Sequence, residues 1–364
     1  MAGLYIHIPF CKTRCIYCDF FSTTALGRIE VYADALCGEI GARCAGRRFD
    51  TIYIGGGTPS WIGVEQLVRI IGAIPHPASA REFTIECNPD DVTEAFVEGL
   101  RRTAVNRVSL GVQTLTEERL RLIGRRHTAR QALEAVEILR KNGYENISVD
   151  MIYGLPGQTM EEWERDLGRV LALGTPHLSA YSLMYEEGTA LWKMREAHKV
   201  AEAHEELSIA LYHTLIDKCA EAGLEQYALS NFARKGFESR HNSAYWRGEE
   251  YVGVGAGAHS YDGGKVRRVN RPDLDAYIGG CEHSEETLSD DELFNESVFT
   301  GLRTMKGVDW SALEARFPRQ AETIKKIAER HVGLGNLEFG NGHLRLTRQA
   351  LFVSDDVMSD LMVV

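Results

Sequence analysis

The 364-residue sequence predicts an α/β protein: an open, partial, TIM-like (β/α)6 barrel followed by a small winged-helix-like α+β domain. Short apolar runs of strand length alternate with stretches of helical apolar spacing, and such units imply parallel strands joined by right-handed crossovers. Polar and glycine residues gather at the carboxyl ends of those runs, at Cys11, Gly55 to Thr58, Glu86, Gln113 and Asp150, where barrel enzymes place their chemistry. After Ser289 the order changes to helix, helix, hairpin, helix. Six units are too few for a closed eightfold barrel, and a doubly wound sheet is the main alternative.

The first strand is the apolar run Leu4-Tyr-Ile-His-Ile-Pro-Phe10. A helix over 29–45 and a strand over 51–54 come next, the strand ending in Gly55-Gly-Gly-Thr-Pro59. The alternation continues with a helix over 64–74, strand 82–87, helix 93–102, strand 106–112, and helices 117–123 and 130–142. Strand 146–152, helix 161–173, strand 177–183 and a long helix over 201–222 complete it. Past Phe232 the repeat lapses into a Gly- and aromatic-rich stretch, with Lys265, Arg267, Arg268 and Arg271 close behind. Helices over 291–304 and 320–330, a hairpin over 337–346 and a final helix over 347–361 follow. The expected units are 1–232 for the barrel, 233–288 for a connecting segment and 289–364 for the terminal domain.

The balance of 41 Lys plus Arg against 52 Asp plus Glu, a net −11, opposes non-specific attraction to nucleic acid or anionic lipid. Residues 286–364 carry 9 basic and 13 acidic side chains, so the terminal domain lacks the basic face of a DNA reader and suits a lid or docking role. No apolar stretch approaches the roughly 20 residues needed to span a bilayer. The N-terminus has no secretory-signal pattern. Of eight cysteines, Cys37, Cys44, Cys87, Cys219 and Cys281 are scattered without a disulfide framework, which fits a reducing cytoplasm.

The other three, in Cys11-Lys-Thr-Arg-Cys15-Ile-Tyr-Cys18, share one tight loop after the first strand. Three converging thiolates suit a cubane iron–sulfur cluster with one iron free of protein, and an open iron needs a small-molecule ligand. A structural zinc wants four protein ligands, usually as two spaced pairs, and no second pair exists here.

Gly55-Gly-Gly-Thr58 lets backbone approach a ligand closely, because glycine lacks a Cβ and tolerates positive φ, although a plain turn reads the same. Glu86 and Asp150 are acids inside apolar runs, where a charge needs a partner; a salt bridge or helix cap is the structural alternative, and Gln113 is equally ambiguous. His241-Asn-Ser-Ala-Tyr-Trp246 offers an imidazole beside two large aromatics, a composition able to ligate haem iron or simply to pack. The basic stretch 265–271 could pair with propionates or form an exposed charged strand.

Together, Tyr5-Ile-His-Ile-Pro-Phe-Cys11, Gly55-Gly-Gly-Thr-Pro-Ser60, Glu86-Cys-Asn-Pro89, Asn106-Arg-Val-Ser-Leu-Gly-Val-Gln113, Asp150-Met-Ile-Tyr-Gly-Leu-Pro-Gly-Gln-Thr159 and the 241–246 element cover most of the barrel. This ordered set resembles the oxygen-independent coproporphyrinogen III oxidase (HemN)-like family of the radical S-adenosylmethionine (SAM) superfamily. The resemblance implies a 4Fe–4S cluster on Cys11, Cys15 and Cys18, with SAM on the open iron. In the superfamily the reduced cluster cleaves SAM to a 5′-deoxyadenosyl radical that takes hydrogen from a substrate. Tyr5, Gly56 and Glu86 match positions contacting the cluster-bound SAM, while Tyr17, Gly57, Thr58, Gln113, Arg125 and Asp150 match a second SAM site in the oxidase.

The oxidase type resembles this pattern but has a fourth cysteine two residues after the third, where this chain has Phe20. An aromatic there, with the His-Asn-x-x-Tyr-Trp element, is similar to the family's haem-chaperone branch. The resemblance thus implies a cytoplasmic carrier that delivers haem to respiratory haem proteins and meets membranes through protein partners. His241 would contact haem, with Tyr245 and Trp246 packing beside it, and a flavodoxin-type donor would supply electrons to any radical chemistry. The alternative is the oxidase itself, converting coproporphyrinogen III to protoporphyrinogen IX, which Phe20 disfavours.

Overall fold

The computed structural model describes residues 2–363. Its central sheet is built on six parallel strands: β1 (Gly3–Ile8), β2 (Thr51–Gly56), β3 (Glu82–Cys87), β4 (Arg107–Gln113), β5 (Ile147–Tyr153) and β6 (His177–Ser182). They lie side by side in chain order, so the chain winds in one direction, as right-handed crossovers require. The crossover helices are α1 (Ile29–Cys44), α2 (Val64–Gly72), α3 (Glu94–Leu100), α4 (Glu117–Leu122), α5 (Ala129–Lys141) and α6 (Met160–Ala172). Thr128 with Gln131 and Thr159 with Glu162 form capping boxes that start α5 and α6.

Each strand alternates between two chemistries, because successive side chains point to opposite faces. Leu4, Ile6 and Ile8 on β1, Phe83 and Ile85 on β3, and Val108 and Leu110 on β4 are all buried beneath the helices. Fully burying such a side chain stabilises by about 1.5–3 kcal/mol, so this outer face holds the sheet to its helices. The intervening positions are polar: Thr51 and Tyr53, Thr84 and Glu86, Arg107 and Ser109, Ser148 and Asp150, His177 and Ser179. An ordinary parallel barrel fills its interior with branched apolar side chains; this one encloses a cavity into which polar side chains project.

The barrel does not close. After α7 (Ala190–Glu196) and α8 (Glu205–Glu221), an antiparallel pair, β7 (Glu225–Ala228) and β8 (Asn231–Ala233), continues the sheet beyond β6. At the other edge β9 (Tyr251–Val254) pairs parallel to β1, and β10 (His259–Tyr261), β11 (Val266–Asn270) and β12 (His283–Thr287) extend it antiparallel to twelve strands. These strands hide in the sequence because β9 and β10 are short and meet across glycine. A Cβ on Gly253 would lie 1.9 Å from the His259 carbonyl oxygen. Buried Glu39 of α1 ties this extension down, accepting hydrogen bonds from Gly255 N at 2.9 Å, Asn270 Nδ2 at 2.8 Å, Tyr277 OH at 2.7 Å and Arg43 Nη1 at 2.9 Å.

Between β8 and β9 the short helix α9 (Arg240–Trp246) lies across the amino-terminal end of the barrel. Glu82, the first residue of β3, accepts from the backbone N–H of Arg240 at 2.8 Å and His241 at 3.0 Å, seating α9 as a floor. After α10 (Leu274–Gly280), the terminal part comprises α11 (Asp290–Leu302), β13 (Val308–Asp309), α12 (Trp310–Arg316), α13 (Pro318–Gly333), β14 (Leu337–Gly340), β15 (His343–Leu346) and α14 (Ser354–Asp360). Its three strands form a separate sheet in the order β13-β15-β14, the small winged-helix-like α+β domain expected. The final helix expected over 347–361 is corrected: a 3-10 turn at Arg348–Ala350 and the short α14 replace it, because Leu351 turns into the core between them. Among the described residues no helix is long and apolar enough to cross a membrane.

Candidate active site at the barrel mouth

The loop after β1 is held on several sides. Cys11 N–H donates to Thr23 O at 2.9 Å, Ile16 N–H to Ile123 O at 3.2 Å, Leu191 N–H to Ile16 O at 2.8 Å, and Thr58 N–H to Phe10 O at 2.8 Å. So pinned, Cys11, Cys15 and Cys18 all face one cavity of about 550 Å³ inside the barrel. Thr58 Oγ1 donates to Cys11 Sγ at 3.5 Å, a contact that favours the Cys11 thiolate, and Arg125 Nη1 donates to Cys15 Sγ at 3.6 Å. Burial acts the other way, pushing the Cys18 thiol up to about 11. Among the described residues no three His, Cys, Asp or Glu side chains converge where one metal ion would sit. Three sulfurs spread around a shared opening fit a polynuclear cluster, in which each thiolate meets a different iron. All eight cysteines are free of disulfides.

The Gly55-Gly-Gly-Thr58 turn closes beneath this loop. Gly57 N–H donates to Ile8 O at 2.8 Å, and a Cβ there would lie 2.8 Å from the Pro9 carbonyl carbon. Gly56 has φ +113°, a conformation L side chains rarely adopt, and a Cβ would press into the His7 ring at 2.6 Å. Glu86 bridges the turn and the wall, accepting from Tyr53 OH at 2.7 Å and Gly56 N–H at 3.2 Å. Burial raises its carboxyl to about 7, a rise that the Asp150 charge reinforces and the Tyr53 hydrogen bond opposes. Such a group exchanges protons near neutrality.

Gln113 ends β4 at φ +66°, beside a register shift between Gly111 and Gln113, so its side chain turns into the mouth. Arg125 Nη2 donates to Gly111 O at 2.6 Å and to Asn88 Oδ1, which fixes the guanidinium next to Cys15. Deeper down, Asp150 accepts from Ser109 Oγ at 2.8 Å and Ser148 Oγ at 3.1 Å, and burial raises its pKa. Tyr17 completes the wall, packing against Ile152, Leu155 and Ile123. The structure thus brings eleven expected residues to one cavity: Cys11, Cys15, Cys18, Tyr17, Gly56, Gly57, Thr58, Glu86, Gln113, Arg125 and Asp150. Tyr5 is absent from its lining and instead hydrogen-bonds His7 Nδ1 at 3.0 Å, behind Tyr53.

His241, the expected haem contact, stands apart from the cavity in this conformation. The ring is 2 % exposed and lies behind the cavity wall. Nδ1 pairs with Thr51 Oγ1 at 2.8 Å and Nε2 with Tyr245 OH at 2.9 Å, so neither nitrogen is open to a metal. Burial, helped by the Arg107 charge, lowers its pKa to about 3 and keeps it neutral. Tyr245 packs edge-on against Tyr251 at 4.6 Å and Trp246 against Tyr227 at 5.8 Å, so both serve the floor. The next residue, Asn242, is the one that reaches the cavity.

Other lining residues were not singled out from the sequence: Tyr53, Arg107, Ser109, Ser179 and Tyr181 on the strands, and Met184 beyond β6. The period-two alternation of apolar and polar residues was their available signal. At the rim, Phe20 is 66 % and Met184 63 % exposed, leaving an apolar lip over a polar interior.

A six-stranded parallel half-barrel with three thiols at its mouth is the architecture of a radical SAM protein, and residues 5–170 match the radical SAM superfamily profile, while residues 288–353 match that of the HemN C-terminal domain. Superfamily membership implies a 4Fe–4S cluster and SAM as its cofactors. Within the superfamily, the chain belongs to the HemW family. It is 40% identical to the haem chaperone HemW of Lactococcus lactis over 88% of this chain and 86% of that one. It is 34% identical to HemW of Bacillus subtilis over 98% of both chains. Among solved structures, the radical SAM enzyme coproporphyrinogen III oxidase (HemN) from Escherichia coli superposes with a TM-score of 0.82, covering 100% of this chain and 90% of that one. At 22% identity, that likeness is one of fold.

Proposed function

We propose that this chain is a haem carrier on a radical SAM scaffold, which binds haem and passes it to respiratory haem proteins. The observation that carries the reading is Phe20, an exposed phenyl ring at the cavity lip in the place of the oxidase's fourth cysteine. An apolar lip suits the face of a tetrapyrrole. The names of the relatives from Lactococcus lactis and Bacillus subtilis, both haem chaperones, support it.

In this reading Cys11, Cys15 and Cys18 hold the cluster, with Thr58 donating to the Cys11 sulfur and Arg125 to the Cys15 sulfur. The cluster, when reduced, supplies one-electron chemistry to bound SAM. Glu86 and the Gly56 backbone would receive the amino-acid end of SAM, with Tyr5 buttressing that wall from behind Tyr53. Tyr17, Gly57, Thr58, Gln113, Arg125 and Asp150 offer donors and acceptors for a second molecule of the same class. Contact between His241 and haem belongs to a conformation in which α9 has left Thr51 and Glu82.

The test is anaerobic titration of the cluster-reconstituted protein with haem, followed by visible absorption, beside an assay with coproporphyrinogen III, SAM and reductant. Stoichiometric haem uptake without protoporphyrinogen IX formation is the expected result. Turnover without haem uptake would sink the carrier reading and return the chain to the oxidases.

A further inference from the structure

Arg107 opens β4 and points inward, two residues below Ser109. It is 2 % exposed, and what remains exposed faces the cavity. Its Nε has no hydrogen-bond partner, and among the described residues no carboxylate lies within ion-pairing distance of it. Glu82 is occupied by the amino end of α9, and Asp150 by Ser109 and Ser148. Directly across the register, Thr84 Oγ1 is also buried and unpartnered. A buried guanidinium without a partner is costly, and proteins keep one where a ligand supplies the missing charge.

We propose that Arg107 receives a carboxylate of the ligand that fills the cavity, with Asn242 of α9 as a second donor. The guanidinium fork matches a planar carboxylate in a bidentate pair. Glu86 and Asp150 higher in the cavity disfavour a multiply charged phosphate, whereas one carboxylate balances Arg107. Four residues along β4 separate Arg107 from Gly111, about 13 Å at strand rise, so a ligand touching both floor and lip is long. Its body meets Tyr53, Tyr181 and the apolar lip at Phe20 and Met184. An extended apolar body with a carboxylate arm describes a porphyrin with its propionate; here the inference rests on the carrier reading. The carboxylate of a second SAM molecule is the other source of the same chemistry.

The experiment titrates the reconstituted full-length protein anaerobically with haem, with haem dimethyl ester and with SAM, in wild type, Arg107→Gln and Arg107→Lys. Wild type should bind haem about tenfold or more tighter than its ester, as a hydrogen-bonded charge pair implies. Arg107→Gln should lose that preference while binding the ester and SAM as wild type does, and Arg107→Lys should keep part of it. If Arg107→Gln instead weakens SAM and wild type takes up no haem, the carboxylate receptor stands and the carrier reading falls. Unchanged affinity for both haem and SAM in Arg107→Gln overturns the inference. Should that variant not fold, Arg107→Lys carries the same comparison, and wild-type affinities for haem and SAM overturn it equally.

Discussion

The ring of Tyr53 stacks on that of His241, with centroids 5.2 Å apart and planes 24° from parallel, so one phenol separates the imidazole from the cavity. The histidine is a structural element of the floor in this conformation. His241→Ala removes two buried hydrogen bonds and most of a side chain, and should cost about 2–4 kcal/mol in denaturant unfolding. An unchanged unfolding midpoint would show that the ring is not seated there.

Glu86 gives the protein a pH response of known sign. Its carboxyl rises from an ordinary 4.5 to about 7 on folding, chiefly through burial. A raised carboxyl favours folding while protonated, so that contribution is full below about 4.5 and is lost as pH rises through about 7, a swing on the order of 3 kcal/mol. Across pH 5 to pH 8 the stability difference between wild type and Glu86→Gln should fall with pH; buried His127, His177 and His241, whose pKa values are lowered, act with the opposite sign but equally in both proteins. A difference between the two proteins that is level across that window refutes it.

Gly57→Ala places a Cβ against the backbone of Pro9 and Phe10, immediately before Cys11. Backbone cannot yield as a flexible side chain would, so the cluster loop must shift, at about 1–3 kcal/mol. Iron bound per chain after anaerobic reconstitution should drop. Full iron loading at wild-type stability would mean the turn has slack.

Glu39 accepts from four donors, of which Gly255, Asn270 and Tyr277 join α1 to the segments beyond β8 while Arg43 lies on α1 itself. Glu39→Ala leaves Gly255 N–H and Tyr277 OH without an acceptor and breaks the Arg43 ion pair, although Arg43 keeps Gly253 O and Ser260 Oγ and Asn270 keeps Gly255 O. It should cost about 2–5 kcal/mol. A loss below about 1 kcal/mol would show that water or neighbouring groups replace it.

Phe20→Ser should leave unfolding within about 0.5 kcal/mol of wild type, because an exposed ring contributes little to the core. Haem affinity should nevertheless fall. Retained affinity would remove the lip from the haem site.

Much of the site was legible because its signals are local. The spacing of Cys11, Cys15 and Cys18 and the run of glycines at 55–57 constrain neighbouring residues, and the structure places both groups at one mouth. Arg107 was less visible, since an arginine at the start of a strand reads as exposed until the sheet curls around it. Its inward position follows from the alternation along β4, where Val108 and Leu110 face the helices and Arg107 and Ser109 do not. His241 shows the opposite limit. Its neighbours in sequence suit haem, but its behaviour is set by Thr51 and Glu82, which are close to it only in the folded chain.

While α9 keeps its seat on Thr51 and Glu82, the barrel is a vessel with one door. Whatever occupies the depth beside Arg107 and Asn242 must pass the three thiols on the way in and again on the way out. On the carrier reading loading would be sequential: the deep guest would arrive first and depart last, with a molecule held at the cluster standing in its path. A recipient would then collect cargo at that same rim, and release would be coupled to the state of the metal-binding loop.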